Sequence, residues 1–94
     1  MNLSYKNCIS WQEYQDIVYV FNEKSGRIYL LQDVSKDFWI SIPEFHSLDL
    51  IAADICMKYT CINAYDMVYQ DLKALSFELQ KYGILDIKER AEIG

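Results

Sequence analysis

The first third of the chain alternates apolar and polar residues, and the remainder repeats every three or four. Ile9-Ser10-Trp11-Gln12-Glu13-Tyr14 keeps its apolar residues on one side at the period of a half-buried strand. Gln15-Asp16 is short and polar, a tight connection. Residues 17–21, Ile-Val-Tyr-Val-Phe, are β-branched or aromatic throughout, which predicts a strand with both faces covered or nearly so. Asn22-Glu23-Lys24-Ser25-Gly26 is polar and ends in Gly, a hairpin signal. Residues 27–31 then read as a third strand, and two short links in succession predict an antiparallel meander.

Helical spacing follows. Ser35 is a candidate N-cap for a short helix from 36 to about 42 that carries Phe38 and Trp39, with Pro43 ending it or opening the next turn. Ser47 is placed to cap a second helix, roughly 48–59, with Leu48, Ile51, Ala52, Ile55 and Tyr59 on one face. Residues 60–63 read as a loop, with Asn63 as the next N-cap and Asp66 in the first turn. The third helix runs from about 64 to 82 on the stripe Ala64, Val68, Leu72, Leu75, Leu79 and Tyr82. Gly83 supplies the left-handed residue that ends it, and Ile84-Leu85 folds back onto the core. The charged tail after Asp86 is expected to fray. Three strands followed by three helices make an α+β fold with the parts of a winged helix-turn-helix. The expected organisation is one domain over residues 1–94 with an ordered core of about 8–86.

Composition narrows the class. At 94 residues, 52% apolar and 24% charged, the chain has the balance of a small folded domain rather than a disordered one. Its net charge of −5 disfavours nucleic acid, because a phosphate-binding surface needs a basic stripe and the basic residues here are interrupted by acids, as in Lys88-Glu89-Arg90. Three cysteines, an odd number, read as cytosolic thiols: Cys56 and Cys61 as buried ones, Cys8 as partly exposed at the start of the sheet. No run approaches the length of a membrane helix and no signal peptide is visible, so the expected location is the cytoplasm.

Catalytic chemistry is sparse. His46 is the single histidine, in the loop before the second helix and without a nucleophile motif near it. Cys56 and Cys61 have the wrong spacing for the usual zinc sites, and no Gly-rich phosphate loop or calcium loop occurs. The acids Asp49, Asp54, Asp66, Asp71 and Glu78 fall on helix surfaces. The sequence points to binding, with no catalytic residue, metal or cofactor expected.

The order of elements then meets specific residues. Gly26-Arg27-Ile28-Tyr29-Leu30-Leu31-Gln32 followed by Phe38-Trp39 resembles the "GRYYxLN…xxIW" signature of the PqqD-like family. Asp71-Leu72 through Leu75, Leu79 and Gly83-Ile84-Leu85 resembles its closing "DVxxfLxxLxxxGLl", and Ile9-Ser10-Trp11 its opening strand. The similarity covers about residues 8–86 and departs from the pattern at Gln32, where Asn is usual, and at Phe77, usually polar. The resemblance implies a stand-alone RiPP recognition element. Such a domain binds the leader of a ribosomally made precursor peptide and presents it to a modifying enzyme. In that family the leader adds as a strand on the third strand of the sheet, beside the third helix.

On that basis the expected leader-binding residues are Arg27, Ile28, Tyr29, Leu30 and Leu31 on the third strand, and Tyr69, Leu72, Lys73, Ser76 and Phe77 on the third helix. Alternation sends Tyr29 and Leu31 to the core and leaves Ile28 and Leu30 on the other face, unless N-terminal residues cover that side. The helix offers two candidate groove walls, the flank of Tyr69, Lys73, Ser76 and Gln80 next to Phe77, or that of Met67 and Ala74. The implied partners are the precursor peptide and a modifying enzyme, either a radical S-adenosylmethionine maturase or a leader peptidase of the lasso type. The open third-strand edge can also pair with its own copy as a homodimer. Two other readings use the same fold: a winged-helix DNA-binding protein, and a structural adaptor subunit of a maturase.

Overall fold

A meander forms where the two short links demand it. In the computed structural model, which describes residues 1–60 and 62–89, three antiparallel strands pair in the order β2 (Ile9–Tyr14), β3 (Ile17–Asn22) and β4 (Arg27–Gln32), after a short N-terminal strand, β1 (Asn2–Tyr5). Gln15 and Asp16 both take positive φ, 51° and 66°, the geometry that lets a two-residue link match the twist of the strands it joins. Three helices follow, α1 (Asp33–Phe45), α2 (Leu48–Lys58) and α3 (Tyr65–Lys81), with a 3-10 turn at Ile62–Ala64 and a last strand, β5 (Leu85–Lys88). The architecture is α+β, a three-stranded antiparallel sheet followed by three helices in a winged-helix arrangement. Among the described residues no helix is long and apolar enough to cross a membrane.

The core gathers Val18, Val20 and Leu31 from the sheet, Phe38, Trp39 and Ile42 from α1, Ile51 and Ile55 from α2, and Leu72 and Leu79 from α3. Leu3, Ile84 and Leu85 complete it. The N-terminal segment is therefore inside the fold. β1 pairs antiparallel with β5 as Leu3 against Ile87 and Tyr5 against Leu85. The Leu3 N–H also donates to the His46 carbonyl at 2.7 Å, and the Leu48 N–H to the Met1 carbonyl at 3.1 Å. The expected core of 8–86 is thus too narrow at its start, and Ile87 and Lys88 belong to β5 rather than to a frayed tail. Residues 90–94 and Cys61 lie outside the described residues; Cys56 is buried and Cys8 half-buried.

Helix boundaries shift for physical reasons. α1 starts at Asp33 with Gln32 as N-cap, because the Ser35 hydroxyl reaches back, accepting the Gln32 N–H at 3.1 Å and donating to its carbonyl at 2.7 Å. Ser35 works one turn inside the helix, not at its cap. α1 also continues through Pro43 to Phe45. Proline removes the N–H that would bond the carbonyl four residues back, that of Trp39. The Tyr5 hydroxyl donates to this carbonyl at 2.7 Å, and its ring stacks on Trp39 with centroids 4.3 Å apart. A residue of β1 thereby satisfies the group that the proline leaves open. At the end of α1 the His46 N–H donates to Ile42 at 2.8 Å, with φ 59°. α2 has Ser47 at its N-cap but without a side-chain bond, and α3 is capped by Ala64 because Asn63 lies in the 3-10 turn.

Burial pushes the Tyr5 phenol well above the ordinary tyrosine value of 10. Below that pH both folded and unfolded chains keep the proton and the contribution is whole. Above it the unfolded chain ionises first, so stability declines toward the raised folded-state value. We expect urea-unfolding midpoints to fall from about pH 10 upward, and Tyr5→Phe to remove part of that fall. At neutral pH Tyr5→Phe costs about 1–2 kcal/mol, because the Trp39 carbonyl loses its partner.

α3 ends in a Schellman motif. Gly83, at φ 79°, donates its N–H to Gln80 at 3.0 Å, and the Ile84 N–H bonds Leu79 at 3.2 Å. Asn22 fixes this end against the sheet. Its side-chain amide donates to the Tyr82 carbonyl at 3.1 Å, while its carbonyl oxygen accepts the Lys24 and Ser25 N–H groups of the β3–β4 turn. One buried side chain thus sets the spacing between the tip of the hairpin and the C-terminus of α3.

Candidate functional site

β2 and β4 are the edges of the three-stranded sheet, and no described strand pairs with the outer side of β4. Alternate residues of an edge strand turn their N–H and C=O groups away from the sheet, where they are open to an added strand. The side chains of β4 divide as alternation requires. Leu31 is buried and Tyr29 half-buried, while Ile28 and Leu30 are 58% and 57% exposed. Across the ladder Ile28 faces Phe21 and Leu30 faces Tyr19, so these residues share one side of the sheet. Phe21 is 38% exposed there too, while Ile17 and Tyr19 on the same face of β3 are half-buried. The N-terminal residues that were the alternative cover for this side pair with β5 instead.

β4 meets the end of α3 at one ring contact, and its own C-terminal end leads toward a helix-lined pocket. At one end the Tyr29 ring stacks on Tyr82 with centroids 4.6 Å apart and planes 11° from parallel. The Tyr82 hydroxyl donates to Glu78 at 3.2 Å, and that bond holds its proton, raising its pKa. At the other end a pocket of about 440 Å³ opens between the three helices. Val34 and Ser35 lie on the side next to β4, Ile55 and Tyr59 come from α2, and Val68, Asp71, Leu72 and Leu75 from α3. Tyr59 donates its hydroxyl to Asp37 Oδ2 at 2.5 Å, and this bond raises the Tyr59 pKa, with burial and the charges of Asp37 and Asp33 adding to it. The pocket has mainly apolar walls, and the chain of β4 leads into it through Val34 and Ser35, which directly follow the strand.

Of the predicted helix residues, Leu72 lines this pocket and Phe77 lines a second surface pocket with Glu78, Lys81 and Tyr82. Leu72 is at the base of the pocket, 2% exposed. Ser76 is fully buried and donates its hydroxyl to the Leu72 carbonyl at 2.8 Å, so it presents nothing to a surface. Tyr69 packs on the core beside Tyr65, whose hydroxyl reaches the Asp49 carbonyl on α2. Lys73 and Phe77 lie further round the helix on that same side, with Phe77 exposed. Met67 and Ala74, the other candidate wall, are exposed on the outer side of α3. Val68, Asp71 and Leu75 line the pocket and Tyr82 meets Tyr29 of β4; Val68 and Leu75 also pack on the core, as their stripe predicted. Arg27 is exposed at the hairpin end of β4, and its N–H donates to Ser25 Oγ at 3.2 Å. Among the described residues no group of three or more His, Cys, Asp or Glu side chains is placed to hold a metal ion, and His46 is exposed at the α1–α2 corner.

The fold is a winged-helix α+β domain with an open sheet edge and a helix-lined apolar pocket. No family model matches the chain, and no curated protein is similar to it, so the PqqD-like signature stays a resemblance. Among solved structures the chain is similar to TbiB1 in complex with the TbiA(beta) leader peptide. The TM-score is 0.82 at 20% sequence identity, over 96% of this chain and 100% of that one. At that identity the likeness is one of fold.

Proposed function

We propose that this protein is a non-catalytic peptide-binding module. It takes the leader of a ribosomally synthesised precursor as an added strand on β4 and presents the rest of the precursor to a modifying enzyme, a radical S-adenosylmethionine maturase or a leader peptidase. The observation that carries this reading is the unpaired β4 edge with Ile28 and Leu30 exposed on it. The fold it shares with a protein solved with a leader peptide supports it. Strand addition satisfies the outward backbone groups of β4, and alternate peptide side chains reach the helix-lined pocket on one side and the Ile28–Leu30 face on the other. Ile28 and Leu30 supply outward backbone groups as well as side chains to this edge, since the backbone of Arg27, Tyr29 and Leu31 is turned to β3, and Leu72 floors the pocket.

The test is a fluorescence-anisotropy titration of the labelled leader encoded beside this gene. Saturable binding at micromolar concentration or below is expected. A flat titration, both with and without the neighbouring maturase, removes the reading and leaves an adaptor subunit as the better account.

A further inference from the structure

We infer that the site selects leaders that carry lysine or arginine next to their apolar residues, and that Asp71 is the residue that reads this charge. The inference rests on the peptide-binding reading above and adds a substrate class to it.

The unpaired charged groups around the helix-lined pocket are of one sign. Asp71 lines the pocket from α3, and Glu78, two turns on, accepts the hydroxyl of Tyr82, whose ring stacks on Tyr29. From α1, Asp33 and Asp37 stand at the Tyr59 corner of the same pocket. Among the described residues none of these four carboxylates is in an ion pair. The nearby cation on α1 is engaged elsewhere, since Lys36 is held by Glu13 at 2.8 Å and Asp16 at 3.6 Å. Lys73 lies across α3 from Asp71, and Lys81 lines a separate surface pocket with Glu78 and Tyr82. Arg27 is at the hairpin end of β4, away from the pocket that opens beside its other end.

An extended peptide on β4 that reaches this pocket therefore meets mainly apolar walls with carboxylates beside them. A basic peptide gains at these positions, and an acidic one meets like charge there, which is discrimination by repulsion as well as attraction. Asp71 is exposed, so its individual share is modest, about two- to fivefold in affinity.

The test uses the full chain as bait for a displayed library of random peptides of about 15 residues, selected at low and at physiological salt. Peptides enriched in Lys or Arg at a fixed distance from apolar residues are expected, with an Asp71→Lys variant shifting the enrichment toward Asp and Glu. Asp71→Asn should weaken a selected basic peptide by about two- to fivefold and reduce its salt dependence. Selected peptides that are neutral or acidic, or a profile unchanged by Asp71→Lys, overturn the charge inference. If those peptides still lose binding when Leu30 is replaced, the strand-addition reading stands without it. Failure of any peptide to enrich removes both.

Discussion

Removing residues 1–7 is expected to leave a chain that no longer unfolds cooperatively at 25 °C. The deletion takes out Leu3, which is 1% exposed in the core, and the whole of β1 with its pairing to β5. It also removes the Tyr5 ring from Trp39 and the Tyr5 hydroxyl from the Trp39 carbonyl that Pro43 leaves without an N–H donor. Loss of a buried leucine alone costs about 2–5 kcal/mol, and the aromatic contact and the orphaned carbonyl add about 1–3 kcal/mol more. The sum matches the whole stability of many small domains, about 5 kcal/mol. Far-ultraviolet circular dichroism during urea unfolding reads it directly. A truncated chain with the wild-type midpoint would show that the N-terminal strand is an ornament of the fold.

The second large effect falls on binding and spares the fold. Replacing both Ile28 and Leu30 by Lys puts two positive charges on the exposed side of β4, where each native side chain is more than half exposed. Surface positions of this kind change stability by about 0.5 kcal/mol or less each. A leader strand on β4, by contrast, loses two cross-strand apolar neighbours of about 0.2–1 kcal/mol each and gains charge beside it. The account expects at least about tenfold weaker leader binding, with a urea midpoint near that of the unaltered chain. Unchanged affinity in a folded double variant would place the peptide away from this edge.

Much of this architecture was legible in the sequence because it depends on local signals. The meander follows from two short polar links, and the end of α3 from Gly83, which takes the left-handed conformation its Schellman motif requires. The face of β4 that carries Ile28 and Leu30 follows from simple alternation. What stayed hidden depends on distant partners. Asn2-Leu3-Ser4-Tyr5 does alternate, but its partner strand lies at the other end of the chain, so no hairpin announces the pairing. Pro43 reads as a stop because nothing nearby in sequence reveals that Tyr5 supplies the missing donor. The helix-lined pocket was hard to see in the sequence for a related reason. Val68, Leu75 and Tyr82 recur every seven residues beside the buried line of Leu72 and Leu79, so the apolar stripe of α3 is wider than its core contact needs. That excess width, with Asp71 at its margin, was the available signal for a second surface.

The central claim is that the leader pairs with β4, and backbone amide exchange measured by NMR with and without bound leader tests it most directly. Pairing predicts that alternate amides of residues 27–32 exchange at least about tenfold more slowly in the complex, while those on the free side of β2 do not change. Saturable binding that leaves the β4 amides as they were, or slows those of β2 instead, would contradict it.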